Sequence, residues 1–408
     1  MPSFNQAEFL EEAAESVFEQ DVDALELVVM DGGSTDGSQR VLAKLAAAHP
    51  GRLRWHSAPD AGPASAINRA VEVAQGAIIG WLNSDDLYAP GAVSRALARF
   101  EAAPGTVMVY GEGEHVDVAG RFLERYPTLP PETPREAWAD GCPVCQPTVY
   151  FRRDAFLALG GLDTTLRASF DYEFWLRLQD AHPGRTGFVP EVQARTRMHA
   201  GTITSRFRER VALEGLQVVS RHIGPPPAHW LLTHFTELAQ GHPFDAADGA
   251  TLEARCRAAL ERARPWLAPD TLAHLEDRIE ADTRVRLSGA GFALGIEEDG
   301  WAGAVAELRL LQKADSPVGV IELHGEHVLP LGEPLAFDVV SPDGLVQEVR
   351  VTKQGAFRFE VPVADRAPGA RLVWRIESTT TMPPSAFTES DDPRPLAFRV
   401  TGVALRAS

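Results

Sequence analysis

The sequence predicts an α/β protein with a doubly wound mixed sheet, followed by a helical segment and a small all-β sandwich domain. Three observations carry this. Over residues 1–222, apolar strand-like runs alternate with amphipathic helical runs. At Gly224-Pro225-Pro226-Pro227 the strand signal stops, and residues 228–287 keep only helical periodicity, as in 229–239 and 252–263. From about Gly291, short apolar segments return, broken by Gly, Pro and Asp. These changes divide the chain into 1–222, 223–290 and 291–408.

The elements follow in order. Pro2-Ser3-Phe4-Asn5-Gln6 reads as a loop of the kind that follows a strand, with no strand before it. Phe9, Leu10, Ala13 and Val17 then share one face of a helix. Residues 25–30 read as a strand, and 38–48 as a helix with Val41, Leu42 and Leu45 inward. A second helix over 64–75 turns Ile67, Ala70, Val71 and Ala74 inward, with Gly76 as its C′ residue. The near-continuous apolar run Ala77-Ile78-Ile79-Gly80-Trp81-Leu82 predicts a strand buried on both faces of a parallel sheet. In the last third, 318–323, 335–340, 357–361, 372–376 and 398–405 predict the strands of a sandwich.

Composition bounds the function. The chain has 408 residues, 44% hydrophobic and 24% charged, enough for two or three globular domains. A net charge of −18 argues against general nucleic-acid binding through phosphate neutralisation. No apolar run reaches membrane-spanning length, and the N-terminus has no basic segment leading an apolar one. The expected compartment is therefore cytoplasmic, with peripheral membrane contact still compatible. Cys142, Cys145 and Cys256 are too few for a disulfide framework.

Two carboxylate clusters sit where such a sheet does its chemistry, beyond the carboxyl ends of strands. The first, Asn83-Ser84-Asp85-Asp86, closes the 77–82 run, and its hard oxygens suit Mg²⁺ or Mn²⁺ completed by phosphates. The plainer alternative is a solvated loop with an Asp cap. The second, Asp31-Gly32-Gly33-Ser34-Thr35-Asp36-Gly37-Ser38, follows the 25–30 strand. Its glycines permit close backbone approach, and a helix N-terminus follows. A tight turn capped by Ser34 or Thr35 is the alternative. It lacks the Lys of a phosphate loop. By local reading Asp171 is a helix cap, His199 a surface or core histidine, and Gln146 either a pocket residue or a partner for buried backbone. Cys142-Pro143-Val144-Cys145 lacks a second pair for zinc and reads as buried thiols. Trp81, Trp175 and Tyr150 read as core.

Taken together, residues 2–205 resemble the inverting glycosyltransferases of family two, which have the GT-A fold. The resemblance rests on an ordered set: Pro2-Ser3-Phe4-Asn5, Asp31–Ser38, Asp60, Asn83-Ser84-Asp85-Asp86, Gln146-Pro147-Thr148, Gly160-Gly161-Leu162-Asp163, Asp171-Tyr172-Glu173-Phe174-Trp175 and Arg197-Met198-His199. It implies a GT-A-type sheet and metal-dependent transfer of a sugar from a nucleotide-sugar donor, a UDP-sugar, to a glycan or lipid-linked acceptor in bacterial surface-polysaccharide synthesis. It implies donor contacts at Pro2, Asp31, Asp36, Asp60, Asn68, Asn83 and Asp85. It also implies Mg²⁺ or Mn²⁺ at Asp85, Asp86 and His199, acceptor contacts at Gln146 and Glu173, and Asp171 as catalytic base.

Two departures from the resemblance stand out. An apolar strand expected before Pro2 is missing, which leads to the expectation of a natural start upstream of Met1. The basic residue that relatives carry in Asp-Arg-Gly is here Ala61, with Arg69 as a candidate substitute. These departures motivate a competing reading, a catalytically impaired glycan-binding or scaffold protein. A sugar nucleotidyltransferase is a third reading, without its Gly-rich basic signature. The last third resembles β domains appended to some bacterial glycosyltransferases, most clearly at Asp391-Asp392-Pro393-Arg394-Pro395-Leu396.

Overall fold

The computed structural model describes residues 1–240, 246–283, 291–296, 301–315, 317–329, 334–364, 367–382 and 396–407. Residues 391–395 of the last motif named above lie outside these.

The chain opens with a two-residue strand, β1 (Pro2–Ser3), where the sequence suggested only a loop. It runs parallel to β2 (Leu27–Asp31), which runs parallel to β3 (Leu53–Ser57). β2 is buried throughout, as its apolar run requires. Helices α1 (Ala7–Phe18), α2 (Ser38–Ala48) and α3 (Pro63–Val73) make the connections. The inward residues read from periodicity hold: Phe9, Leu10, Ala13, Val17, Leu42, Leu45, Ile67 and Val71 are all buried. Gly76 is not a C′ residue. α3 ends on an extended Ala74, and the amides of Gln75 and Gly76 donate instead to the Glu26 carboxylate.

A second sheet contains β4 (Ile78–Gly80), β5 (Leu87–Tyr88), β6 (Met108–Val116), β7 (Phe122–Arg125), β8 (Tyr150–Arg152) and β9 (Thr186–Arg197). Its order is β4-β8-β6-β9-β5, with β7 beside β6. Only β6 and β9 run parallel, so the sheet is mixed. The strand expected to be buried on both faces is corrected here. β4 has three residues, pairs antiparallel with β8 alone, and is only half-buried. Trp81 and Leu82, which gave the run its apolar character, leave the strand and enter the core.

Helices α4 (Ala92–Ala102), α5 (Arg153–Ala158), α6 (Phe170–Ala181), α7 (Ile203–Arg206) and α8 (Arg208–His222) complete this unit. α6 is anchored by its aromatic face. Phe174 lies 4.8 Å from Phe156, and Trp175 lies 6.0 Å from Trp81. Phe174 and Trp175 are wholly buried, and burial of each such side chain stabilises by about 2 kcal/mol or more. This packing fixes how α6 is rotated and which first-turn residues it leaves toward the opposite side.

By contacts the chain forms two compact units: Met1–Trp230 with Pro265–Ala268, and Leu231–Arg264 with Pro269–Ser408. The second contains most of α9 (His229–Gln240), then α10 (Ala246–Ala263) and α11 (Pro269–Thr283). Its strands are β10 (Gly291–Ile296), β11 (Trp301–Leu311), β12 (Val318–His327), β13 (Leu335–Val340), β14 (Val346–Val351), β15 (Gly355–Pro362), β16 (Arg371–Ser378) and β17 (Phe398–Ala407). They form one antiparallel eight-stranded sheet in the order β14-β13-β16-β11-β17-β12-β15, with β10 on β11. The expected two-sheet sandwich is thus corrected to a single sheet, curled and nearly closed. The cause is β11, which pairs with β17 at Trp301–Ala302 and with β16 from Val305 to Leu311, joining what would be two layers. Register shifts between β12 and β17 bend the wall further. Phe337 fills the interior, 4.9 Å from Phe398 and 5.2 Å from Phe359. Among the described residues, no helix is long and apolar enough to cross a membrane.

Candidate active site

The carboxyl ends of β1, β2 and β3 meet at Asp31. Its carboxylate is buried and takes hydrogen bonds from the Gly33 amide (3.2 Å), the Ser34 amide (3.1 Å) and the Ser57 hydroxyl (2.5 Å), and one more from the Ser34 hydroxyl. Gly33 makes this turn with φ +84°, and a β-carbon there would lie 3.2 Å from the Pro59 nitrogen. The Asn5 side chain accepts from the Thr35 amide, and the Ser34 hydroxyl accepts from the Asn5 amide, tying the two loops together. Pro2 is buried in β1 opposite Met30. Asp60 is exposed, with one oxygen accepting from the Gly62 amide at 2.7 Å. A β-carbon at Gly32 would meet the Phe4 ring at 3.2 Å and the Asp60 carboxylate at 3.3 Å. Phe4, 61% exposed, therefore stands beside Asp60 at the mouth of this pocket.

Asp36 does not face the pocket. Its carboxylate caps both neighbouring helices, accepting from the Ala7 amide at 2.9 Å and from the Ser38 amide and hydroxyl at 3.0 and 2.6 Å. Burial alone would raise its pKa, but these bonds outweigh that and hold it low. Asn68 is likewise engaged elsewhere. Its amide group clamps Leu162, donating to the carbonyl at 3.0 Å and accepting from the amide at 2.8 Å. Asp36 and Asn68, both expected as donor contacts, make these structural bonds.

The Asn83–Asp86 turn splits its two carboxylates. The Asp85 carboxylate lies 3.1 Å from His199 Nε2. Because the Gly201 amide donates to Nδ1, we assign the His199 proton to Nε2, which donates to Asp85. Asp86 turns the other way and is buried. It accepts from the Arg197 amide at 3.1 Å and from the Asn83 amide group at 3.1 Å. Burial, and then the charge of Asp85, push its carboxyl well above the usual range. Asp86, expected among the metal ligands, is thus engaged by Arg197 and Asn83, while Asp85 faces His199. Among the described residues no three His, Cys, Asp or Glu side chains assemble to hold a metal ion. Asp85 and His199 remain as a pair. Adjacent ligands of an octahedral cation at about 2.1 Å lie about 3 Å apart, so the pair fits one Mg²⁺ or Mn²⁺ whose shell phosphates complete.

Asn83 and Gln146 belong to the framework under this turn. Asn83 Oδ1 accepts from the Trp81 indole at 3.0 Å. Gln146 accepts from Asn83 at 2.8 Å and donates to the Trp81 carbonyl at 2.7 Å. Gln146, expected at the acceptor, makes these framework bonds. Of the two readings left open for it, satisfaction of buried groups is the one found, because the turn leaves a carbonyl that needs a donor. Glu173, also expected at the acceptor, is engaged within the protein as well. It is buried on α6 and bonded by Arg177 at 2.9 and 2.8 Å, with His222 of α8 at 3.4 Å. Burial would raise its carboxyl, but His222 and Arg177 hold it low.

Asp171, the second residue of α6, takes its hydrogen bonds from the first-turn amides. Enclosure by protein pushes its carboxyl up to about 6, and the charge of Glu214 adds to the rise. The Cys142 and Cys145 thiols and the Tyr126 phenol feel its charge, and burial raises all three. Cys145 also feels the charge of Asp86. Both thiols are free, as expected from the sequence. Trp81, Trp175 and Tyr150 are buried core residues, also as expected.

Two arginines carry weight that the motifs alone did not reveal. Arg197 is fully buried and donates to the Asp85 carbonyl (3.0 Å), the Val118 carbonyl (2.6 Å) and Glu12 (2.8 Å). The Arg167 guanidinium hydrogen-bonds the Ala61 carbonyl, and a β-carbon at Gly62 would lie 2.7 Å from it. Arg69, the substitute suggested by the sequence, is exposed on α3. The cation at the Ala61 loop comes from Arg167.

Residues 1–159 match the family described as Glycosyl transferase family 2. Curated relatives include a chondroitin synthase of Escherichia coli, 30% identical over 183 residues, 45% of this chain and 26% of that protein. A hyaluronan synthase of Pasteurella multocida is 31% identical over 180 residues, 44% of this chain and 18% of that protein. The chain thus spans about a quarter or less of the length of these relatives. Among solved structures, Staphylococcus aureus TarS with UDP aligns at a TM-score of 0.46 and 15% identity, covering 68% of this chain and 89% of that one. The likeness to glycosyltransferase family 2 thus lies in residues 1–159, the part of the chain that holds Asp31, Asp60, Asp85 and Gln146.

Proposed function

From a glycosyltransferase family 2 domain as the starting point, we propose that this protein transfers a sugar from a UDP-sugar to a hydroxyl of a glycan or lipid-linked acceptor, with inversion at the anomeric carbon. The observation that carries this reading is Asp171: an enclosed carboxylate, raised to about 6, at the start of a helix whose other face is locked into the core. A general base works best when its pKa lies near the working pH. Asp171 is the residue to take the proton from the acceptor hydroxyl as that oxygen attacks. One in-line displacement then suffices, and no covalent intermediate forms.

Asp31, Asp60 and Phe4 form the nucleoside side of the donor pocket in this reading, and Arg167 at the Ala61 loop offers its charge to the diphosphate. A divalent cation, Mg²⁺ or Mn²⁺, held at Asp85 and His199, would supply charge neutralisation for the departing nucleoside diphosphate. Before it binds, the His199 Nε2 proton now donated to Asp85 must leave. Synthesis of a bacterial surface polysaccharide, and a cytoplasmic location for the domain, complete the proposal.

Calorimetric titration with UDP, GDP and dTDP, with and without Mn²⁺, tests it. We expect UDP to bind, Mn²⁺ to strengthen that binding, Asp85→Ala to remove the Mn²⁺ effect, and Asp171→Asn to keep binding while losing transfer. Absence of nucleotide binding, or a Mn²⁺ effect that survives Asp85→Ala, would overturn it.

A further inference from the structure

The loop that leads into α6 contains an arrangement that the proposed reaction does not by itself explain. Three consecutive amides converge on the carboxylate of Glu214, a residue of α8. Arg167 donates at 2.9 and 3.0 Å, Ala168 at 2.7 Å and Ser169 at 3.0 Å. Successive N–H groups around one anion make a nest, and their bonds to a carboxylate are charge-assisted. Glu214 is only 8% exposed. A buried carboxylate is tolerated when its oxygens are satisfied, and these are satisfied by backbone.

The position of the nest gives it meaning. Ser169 precedes α6 yet makes no side-chain cap of its own. Glu214 supplies, from another helix, the negative charge that an N-terminus favours. Its ion-pair partner, Arg210, stands off at 4.0 Å and is half exposed. Asp171 follows the clamped segment by two residues. At the other end of the same segment, Arg167 extends its guanidinium to the Ala61 carbonyl.

We propose that Glu214 is a positioning residue of the active site: by gathering the amides of Arg167, Ala168 and Ser169 it fixes where Asp171 stands, and the same anchored loop carries Arg167 to the donor side. This rests on the reading of Asp171 as the base. The Cys142 and Cys145 thiols and the Tyr126 phenol feel the charge of Asp171, and Asp171 in turn feels that of Glu214. The thiols and the phenol are neutral near pH 7 because burial raises them, so Glu214 is the one charge in that set. Removing it has two effects of the same sign. The like charge disappears, and the loosened loop admits water to Asp171. Both lower the Asp171 pKa.

The experiment is a carboxyl ¹³C NMR titration of the full chain labelled at aspartate, with Asp171→Asn identifying the signal. In Glu214→Gln the Asp171 midpoint is expected to fall below its wild-type value of about 6, while calorimetric UDP binding persists. Arg210→Ala is expected to leave the midpoint in place. A folded Glu214→Gln variant with an unchanged midpoint overturns the proposal. Should that variant fail to fold, Glu214→Asp keeps the charge and shortens the reach by one methylene, so its midpoint is expected to fall through the loosened loop alone, and an unchanged midpoint again overturns the proposal. Transfer that persists in Asp171→Asn would sink the assignment of the base, and the titration would still decide the role of Glu214.

Discussion

Arg197 Nε donates to the Asp85 carbonyl across 3.0 Å, a bond between residues 112 apart in sequence. The turn that presents the Asp85 carboxylate therefore hangs from the last residue of β9, and the next residue but one is His199. Both members of the proposed cation pair are held by one buried guanidinium and its strand.

Arg197→Met should accordingly damage both the fold and the site. It strips donors from two backbone carbonyls, and each buried unsatisfied group costs about 1–3 kcal/mol. We expect a loss of about 3 kcal/mol or more in urea unfolding. Arg197→Lys should recover little of it, because an ammonium lacks the planar fork. A loss below about 1 kcal/mol would contradict this role.

Asp171→Asn should make the protein more stable while disabling it. The folded carboxyl titrates near 6, above its unfolded value of about 3.9. The folded state thus binds this proton more tightly, so the ionised group opposes folding at neutral pH, and that opposition fades as pH falls from 6 toward 4. The variant should melt above wild type at neutral pH, with the gap closing below about pH 5. Wild-type transfer should decline as pH drops through about 6, and the variant should lose about 10²-fold or more in rate. A melting point at or below wild type at neutral pH would argue against an enclosed, unpaired carboxylate.

Glu173→Gln separates scaffold from chemistry. Glu173 is 2% exposed and its oxygens are taken by Arg177 and His222. Removing one charge of a buried pair costs about 3–5 kcal/mol. We expect a large drop in melting temperature, with acceptor KM unchanged in the folded fraction. A raised acceptor KM without destabilisation would return Glu173 to the cleft.

Arg167→Ala should weaken the donor site without weakening the fold, since the side chain is exposed. Loss of a hydrogen bond from a charged group is worth about 1.5–3 kcal/mol, so UDP affinity should fall about tenfold or more. Ala61→Arg in that background should restore part of it, because the new guanidinium starts from the same loop. Equal UDP affinity in Arg167→Ala and wild type would remove Arg167 from the donor site.

Much of the fold could be read directly from periodicity. α2 spans the predicted 38–48, and the apolar faces of α1 and α3 fall where the 3.6-residue repeat puts them. The 77–82 run misled because apolar content reports burial and not pairing. Trp81 and Leu82 are in the core without being in the strand. For the candidate site, the motifs could not say which way a polar side chain turns. Asp85 and Asp86 are adjacent in sequence and diverge in space. Glu173 carried a readable warning, an Arg four residues on, the spacing of a helical ion pair. Glu214 and Arg167 carried none. Their partners lie 45 to 47 and 106 positions away, and only the folded chain brings them together.

The crowding around Asp31 has a consequence for how a donor would be chosen. Every lone-pair direction of that carboxylate that faces Ser34, Gly33 or Ser57 is already in use. Three of these bonds fall on Oδ2 and one on Oδ1, so the second lone pair of Oδ1 is the one left for a newcomer. A base that presents an N–H to it would gain a charge-assisted bond without displacing Ser57. A base that presents an acceptor there would set lone pair against lone pair. The pocket would then discriminate by penalising the wrong base as much as by rewarding the right one.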